Sequence, residues 1–194
     1  SYPTAGSRPS FAATLRSFAT ADGLPFSEVL PQEQIDRIAQ EEDACFASGP
    51  DCVYTPAITL WAFLAQCLSG SKSCVAAVAR VLVLRVAVGL PPCSAATGAY
   101  CKARAKLAEP FLRRLTLHVG HEVERQAPDR WRWKGKRVVL ADGTECSMPD
   151  PPENQEEYPQ PGSQKPGLGF PLIRLVVLLG YATAGLVGAA MGPH

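Results

Sequence analysis

From Leu30 to about Ala127, apolar residues recur at intervals of three and four; beyond Pro128 they bunch into short β-branched runs. The first pattern predicts helices buried along one face, and the second predicts strands. Leu30 to about Phe46 is polar and acidic, with Ile35, Ile38 and Ala39 on one helical face. Thr55-Pro56 predicts a helix start, because threonine caps and proline suits the first helical position. Ile58, Trp61, Leu64, Ala65 and Leu68 then follow at helical spacing. The run Val75 to Leu90 is almost wholly apolar, broken by Arg80 and Arg85; its length predicts a buried helix, while its valines leave a strand open. Gly89 and Pro91 end it. Ser94 to Leu107 reads as a further helix. Glu109-Pro110 breaks or restarts it, and Leu112, Leu115, Val119 and Val123 continue one face to about Ala127.

Past Pro128 the texture changes. Trp131 to Lys136 is a basic and aromatic connector, and Arg137 to Ala141 is a short strand. A loop rich in Pro, Gly, Asn and Gln covers Gly143 to Gly169. Phe170 to Leu179 and Ala182 to Met191 are read as a second and a third strand, with Gly180-Tyr181 near the turn. Leu172 to Met191 also has the length of a membrane span. Arg174, the glycines and threonines, and the central Gly-Tyr favour two buried strands, and no membrane partner is expected. Residues 1 to about 25 are rich in Ser, Ala, Thr and Pro and read as a loose leader. They lack the continuous apolar stretch of a secretory signal.

Composition sharpens this outline. The chain of 194 residues is 46% hydrophobic and 19% charged, enough for one domain or two small ones with a real core. The net charge of +1 hides a strong asymmetry. Ala21 to Asp51 holds eight acids against one base, and Tyr100 to Arg137 eleven bases against four acids. That basic stretch points to an anionic partner, nucleic acid first, although a basic solvated helix face would look the same. Lys102, Arg104, Lys106, Arg113, Arg114, Arg130, Arg132, Lys134, Lys136 and Arg137 are its candidate phosphate contacts. Trp131 and Trp133 could stack on exposed bases, but are expected instead to pack the connector against the core. Seven cysteines include no C-x-x-C pair and no quartet with zinc spacing. Cys67 and Cys74 lie in apolar runs, where cysteine acts as a small hydrophobe. Reduced thiols in a cytoplasmic protein are the expectation.

The candidate chemistry lies between Val138 and Arg174. Asp142 is expected at the end of the first strand, where a carboxylate can face solvent and bind a metal, although from these residues alone a plain Asp142-Gly143 turn is the favoured reading. His118 and His121 lack a third ligand and read as a solvated helix end. The stretch contains Asp142-Gly143-Thr144, Ser147-Met148-Pro149-Asp150, Asn154-Gln155, Tyr158-Pro159-Gln160 and Gln164 to Pro171. With T-P-A-I-T-L-W-A-F-L-A-Q at Thr55, S-C-V-A-A-V-A-R at Ser73 and T-G-A-Y-C-K-A-R at Thr97, it resembles bacterial DDE transposases of the insertion-sequence-four family over about Leu30 to Pro193.

The resemblance implies a mixed α and β chain. A leader (residues 1–25) precedes a helical DNA-binding region (26–128), and the first antiparallel strands of an RNase H-like domain follow (129–194). It implies double-stranded DNA at transposon ends as partner, and a second copy or a full-length transposase as a protein partner. It further implies cleavage and joining of DNA strands by three carboxylates holding Mg²⁺ or Mn²⁺, with Asp142 matching the first. The family's second Asp and its Glu lie further along, beyond any motif in this sequence. Asp150, Glu153, Glu156 and Glu157 do not replace them by motif, since they occupy the loop after the first strand. The expectation is therefore a catalytically incomplete N-terminal fragment, with a non-catalytic DNA-binding remnant or a decayed reading frame as the alternative.

Overall fold

The computed structural model of the chain describes residues 30–49, 51–165 and 167–194. The expected leader lies outside them. The described residues form six α-helices, one short 3-10 helix and three strands, a mixed α and β architecture. The chain divides into two compact units inside one helix, between Leu112 and Arg113.

The first unit is helical. Helix α1 (Gln32–Glu41) buries Ile35, Ile38 and Ala39, as its periodicity predicts. Helix α2 (Pro56–Leu68) begins where Thr55-Pro56 places it: the Thr55 hydroxyl accepts from the Ile58 N–H at 3.3 Å. Helix α3 (Cys74–Ala87) is capped by Ser73, whose hydroxyl accepts from the Ala76 N–H at 3.1 Å. These caps satisfy amides that the first turn leaves without a helical partner. Helix α4 (Gly98–Arg104) is shorter than the predicted Ser94–Leu107, because Ser94 to Thr97 stay outside it. Tyr54, Trp61, Ala62, Ala77, Val78, Val81, Tyr100 and Ala103 make one core cluster. Only one face of α3 enters that core: Val75, Val83 and Val86 point outward, so its apolar run overstates its burial. Cys67 is exposed rather than a core hydrophobe.

One buried polar pair ties α2 to α4. The Tyr100 hydroxyl donates to Gln66 Oε1 at 2.6 Å, and the Gln66 amide donates to the Lys72 carbonyl at 2.8 Å. Helix α5 (Glu109–Arg125) starts at the predicted break and buries Phe111 in this unit.

The second unit, Arg113–His194, joins the rest of α5 to an antiparallel meander of order β1-β2-β3. Strand β1 (Val139–Ser147) pairs with β2 (Leu172–Gly180), which pairs with β3 (Leu186–Pro193). The apolar run from Leu172 to Met191 thus folds as a hairpin of two strands. No helix among the described residues is long and apolar enough to cross a membrane. At Gly120 of α5 a side chain would collide with the Leu186 backbone, so only glycine permits this helix–strand approach.

β1 runs six residues past the predicted end at Ala141. The Asp-Gly turn signal loses to pairing: Asp142 to Ser147 face Val177 to Leu172, and Glu145 forms a 2.8 Å cross-strand ion pair with Arg174. The expected loop from Gly143 to Gly169 accordingly contains the end of β1 and the short helix α6 (Pro152–Glu157).

Candidate metal and nucleic-acid site

Asp142 lies in the middle of β1 and not at its end, opposite Val177. β1 is an edge strand, and all nine of its residues are exposed. Alternation puts Leu140, Asp142, Thr144 and Cys146 on one side of the sheet and Glu145 on the other. One Asp142 oxygen accepts from the Gly143 N–H at 2.8 Å. A carboxylate with a hydroxyl two residues along the same face suits a water-rich Mg²⁺ or Mn²⁺ site, which needs one or two carboxylates plus water and phosphate oxygens. Among the described residues no three His, Cys, Asp or Glu side chains converge as a ligand set. On the opposite face Glu145 is held below the usual carboxylate range, first by its hydrogen bond from Arg174 and then by His194, whose Nδ1 lies 2.7 Å away.

The connector that carried most of the resemblance is organised by its glutamines. The Gln160 amide donates to the Gln164 and Lys165 carbonyls at 3.2 and 2.9 Å, while its oxygen accepts from the Gly167 and Gly169 N–H groups. Gln155 donates to the Gly169 carbonyl and to Asp150, and accepts from the Gln160 N–H. The Met148 N–H closes the segment onto the Pro171 carbonyl at 2.9 Å. These motif residues therefore act as scaffold, folding the chain from β1 back to β2. Asp150, Glu153, Glu156 and Glu157 are exposed, as expected of loop acids.

The ten basic candidates fall into different environments. In the first unit Lys102 is exposed on α4, whereas Arg104 turns inward: its guanidinium donates to Gln66 Oε1 at 3.2 Å and lies over the Tyr100 ring. Lys106 sits 5.8 Å above the Phe46 ring. In the second unit Arg113 donates to the Ala189 carbonyl at 2.7 Å, and Arg114 is exposed. Arg130, Arg132, Lys134, Lys136 and Arg137 are all exposed.

The connector that holds these last five is more ordered than its sequence suggests. A 3-10 turn, Asp129–Trp131, leads into a tight hairpin in which Trp133 and Lys136 exchange backbone bonds of 3.0 and 2.9 Å. Lys134 and Gly135 both have positive φ, 49° and 75°, as a two-residue turn of the primed type requires. This turn holds Trp133 out in solvent, with the Lys134 ammonium 5.0 Å from its ring centre. Trp131 is 50% exposed and Trp133 63%, so neither packs against the core as expected.

Together they wall a cleft of about 930 Å³, shared with His121, Arg132, Arg137 and Tyr181. Buried Glu124 also lines it; that carboxylate accepts from the Thr183 hydroxyl and lies 3.8 Å from Arg137. Sequence reasoning did not single out Glu124 or Tyr181, because nothing local marks a helix acid or a turn tyrosine that meet only through the fold. Comparison of the chain with family models, curated proteins and solved structures gives no match.

Proposed function

We propose that this chain belongs to a metal-dependent DNA transposase of the insertion-sequence-four type. In this reading it supplies the first carboxylate, Asp142, and part of the DNA-contacting surface, and the meander is the opening of an RNase H-like sheet. What carries the reading is the behaviour of the Val138–Arg174 block as a unit. Its aspartate stands exposed on an edge strand, and its glutamines fold the connector that returns the chain beside that strand.

The division of labour follows from side-chain chemistry. Asp142 is an acceptor-only carboxylate open to solvent, suited to hold one Mg²⁺ or Mn²⁺ against a phosphate oxygen. The ion, when bound, supplies Lewis-acid stabilisation of the entering and leaving oxygens in a phosphoryl transfer. Arg130, Arg132, Lys134, Lys136 and Arg137 neutralise backbone phosphates, and Trp131, Trp133 and Tyr181 offer flat faces beside them. Arg104 and Arg113, engaged within their own units, serve the fold first.

Phosphate neutralisation has a measurable signature, because it releases condensed counterions. Mobility-shift titrations of double-stranded DNA should show affinity falling steeply from low to physiological salt. Replacing Arg132 and Lys136 with alanine should flatten the log–log slope by about one unit per lost phosphate contact. Absence of binding, or an affinity indifferent to salt, contradicts the DNA-contacting role.

A further inference from the structure

The cleft of the strand unit holds a carboxylate that folding has largely removed from water. The Glu124 side chain is only 5% exposed, yet it lines the same cleft as Trp131, Trp133 and Tyr181. Its Oε1 accepts from the Thr183 hydroxyl. At Gly180 any side chain would collide with that oxygen, so the turn after β2 fixes the carboxylate in place. Its Oε2 lies 3.8 Å from Arg137, an ion pair too long for a hydrogen bond. A carboxylate has about four acceptor positions, and a hydrogen bond fills one of them here. A buried acceptor left open is costly, which makes the cleft a place where donors are gained on binding. We propose that this cleft takes one unpaired guanine base of a single DNA strand, with Glu124 accepting from its Watson–Crick edge. The inference rests on the DNA-contacting role proposed above and extends it from phosphate to base.

Shape, charge and hydrogen-bonding edge each narrow the ligand. Two indoles and a phenol line one cleft of about 930 Å³, room enough for a nucleotide. Every base has a flat face that stacks on such rings. An aromatic cleft with a carboxylate would also suit an organic cation. Arg132 and Arg137 outnumber Glu124 on these walls, however, and Arg125 carries its own counter-ion in Glu122. The charge therefore favours an anionic ligand that bears an aromatic ring, as a nucleotide does. The edge of the base then decides among the four. Guanine sets N1–H and its 2-amino group side by side, two donors that one carboxylate receives together, and bonds to an ionised acceptor are the strong ones. Adenine and cytosine place a ring-nitrogen acceptor beside their single donor, and that acceptor is repelled by the carboxylate. Thymine has one donor between two carbonyls. In a duplex the guanine edge is occupied by cytosine, so the base must be unpaired. Arg130, Lys134 and Lys136 carry exposed positive charge along the connector outside the cleft, where a strand brings further phosphates and a lone nucleotide brings none.

The test is titration of the full chain with short oligodeoxythymidine strands that each carry one central test base, read by quenching of tryptophan fluorescence. The guanine strand should bind about tenfold tighter than the adenine or all-thymine strand, and inosine, which lacks the 2-amino group, should fall between them. Deoxyguanosine monophosphate alone should bind at least about tenfold more weakly than the guanine strand. Trp133→Ala, at an exposed side chain, should weaken every strand about tenfold and keep the guanine preference. Glu124→Gln should abolish the preference. Adenine or inosine bound as tightly as guanine, or no strand bound at all, overturns the assignment; both are read on the unsubstituted chain, so neither depends on a variant folding. A guanine preference retained in Glu124→Gln overturns it too, and the free nucleotide binding as tightly as the strand overturns the choice of a strand. Salt-dependent duplex binding without any base preference would leave the phosphate contacts standing and remove this site, so the two proposals fail separately.

Discussion

The two units spend their apolar residues differently. The helical unit closes on itself: Ile35, Ile38, Val78, Val81, Tyr100 and Phe111 are almost wholly inaccessible. The strand unit buries few apolar side chains among its described residues, Leu115 and Pro171, and leaves Trp131, Trp133, Leu140, Val176, Leu178 and Tyr181 in contact with solvent. Burial of apolar area is the main stabilising term in folding, so stability concentrates in the first unit. Large exposed apolar and aromatic patches more often mark places where something binds. The residues proposed for chemistry and most of the proposed DNA contacts lie in the second unit, on the surface that folding leaves open.

Substitutions should separate the units sharply. Phe111→Ala removes a fully buried ring, and denaturant unfolding should show a loss of about 3–5 kcal/mol. A loss below 1 kcal/mol would mean that the helical core is looser than its burial implies. The next effect is a pH dependence confined to the helical unit. Burial pushes the Tyr100 hydroxyl up from 10.0 to about 12, with nearby Arg104 opposing the shift. A folded-state value above the unfolded one adds stability that is present in full below pH 10.0 and is lost as pH rises through about 12. That loss amounts to about 3 kcal/mol, and it should be absent from Tyr100→Phe when both melting curves are followed across this window. The smallest effect belongs to the sheet: Val176→Ala, at a side chain 42% exposed, should change stability by no more than about 0.5 kcal/mol. A cost comparable to Phe111→Ala would erase the contrast between the units.

What was legible in the sequence was mostly local. The Thr55 cap, the buried face of Ile35, Ile38 and Ala39, and the restart at Glu109 follow from spacing and capping chemistry within a few residues. The extent of β1 was not legible, because Gly143 to Ser147 carry turn-forming and polar residues that become a strand only by pairing with Leu172 to Val176. The exposure of Trp133 was hidden for a related reason: a Lys-Gly turn with two positive φ values lifts it away from the core. Arg104 reads as one more surface base until Gln66, 38 residues away in sequence, brings its guanidinium inward. The motif glutamines show the converse. Gln155 and Gln160 stood out by resemblance alone, and their structural work is to hold backbone carbonyls and amides of one connector.

The claim that the open unit carries the chemistry rests most directly on Asp142. Titrating Mn²⁺ into the isotope-labelled chain while recording amide spectra tests it, since a paramagnetic ion broadens signals close to its site. Broadening is predicted first at Ala141, Asp142, Gly143 and the paired Val177, and it should vanish in Asp142→Asn while DNA binding persists. Broadening centred instead on the connector acids Asp150, Glu153, Glu156 and Glu157, or unchanged in Asp142→Asn, would contradict the assignment.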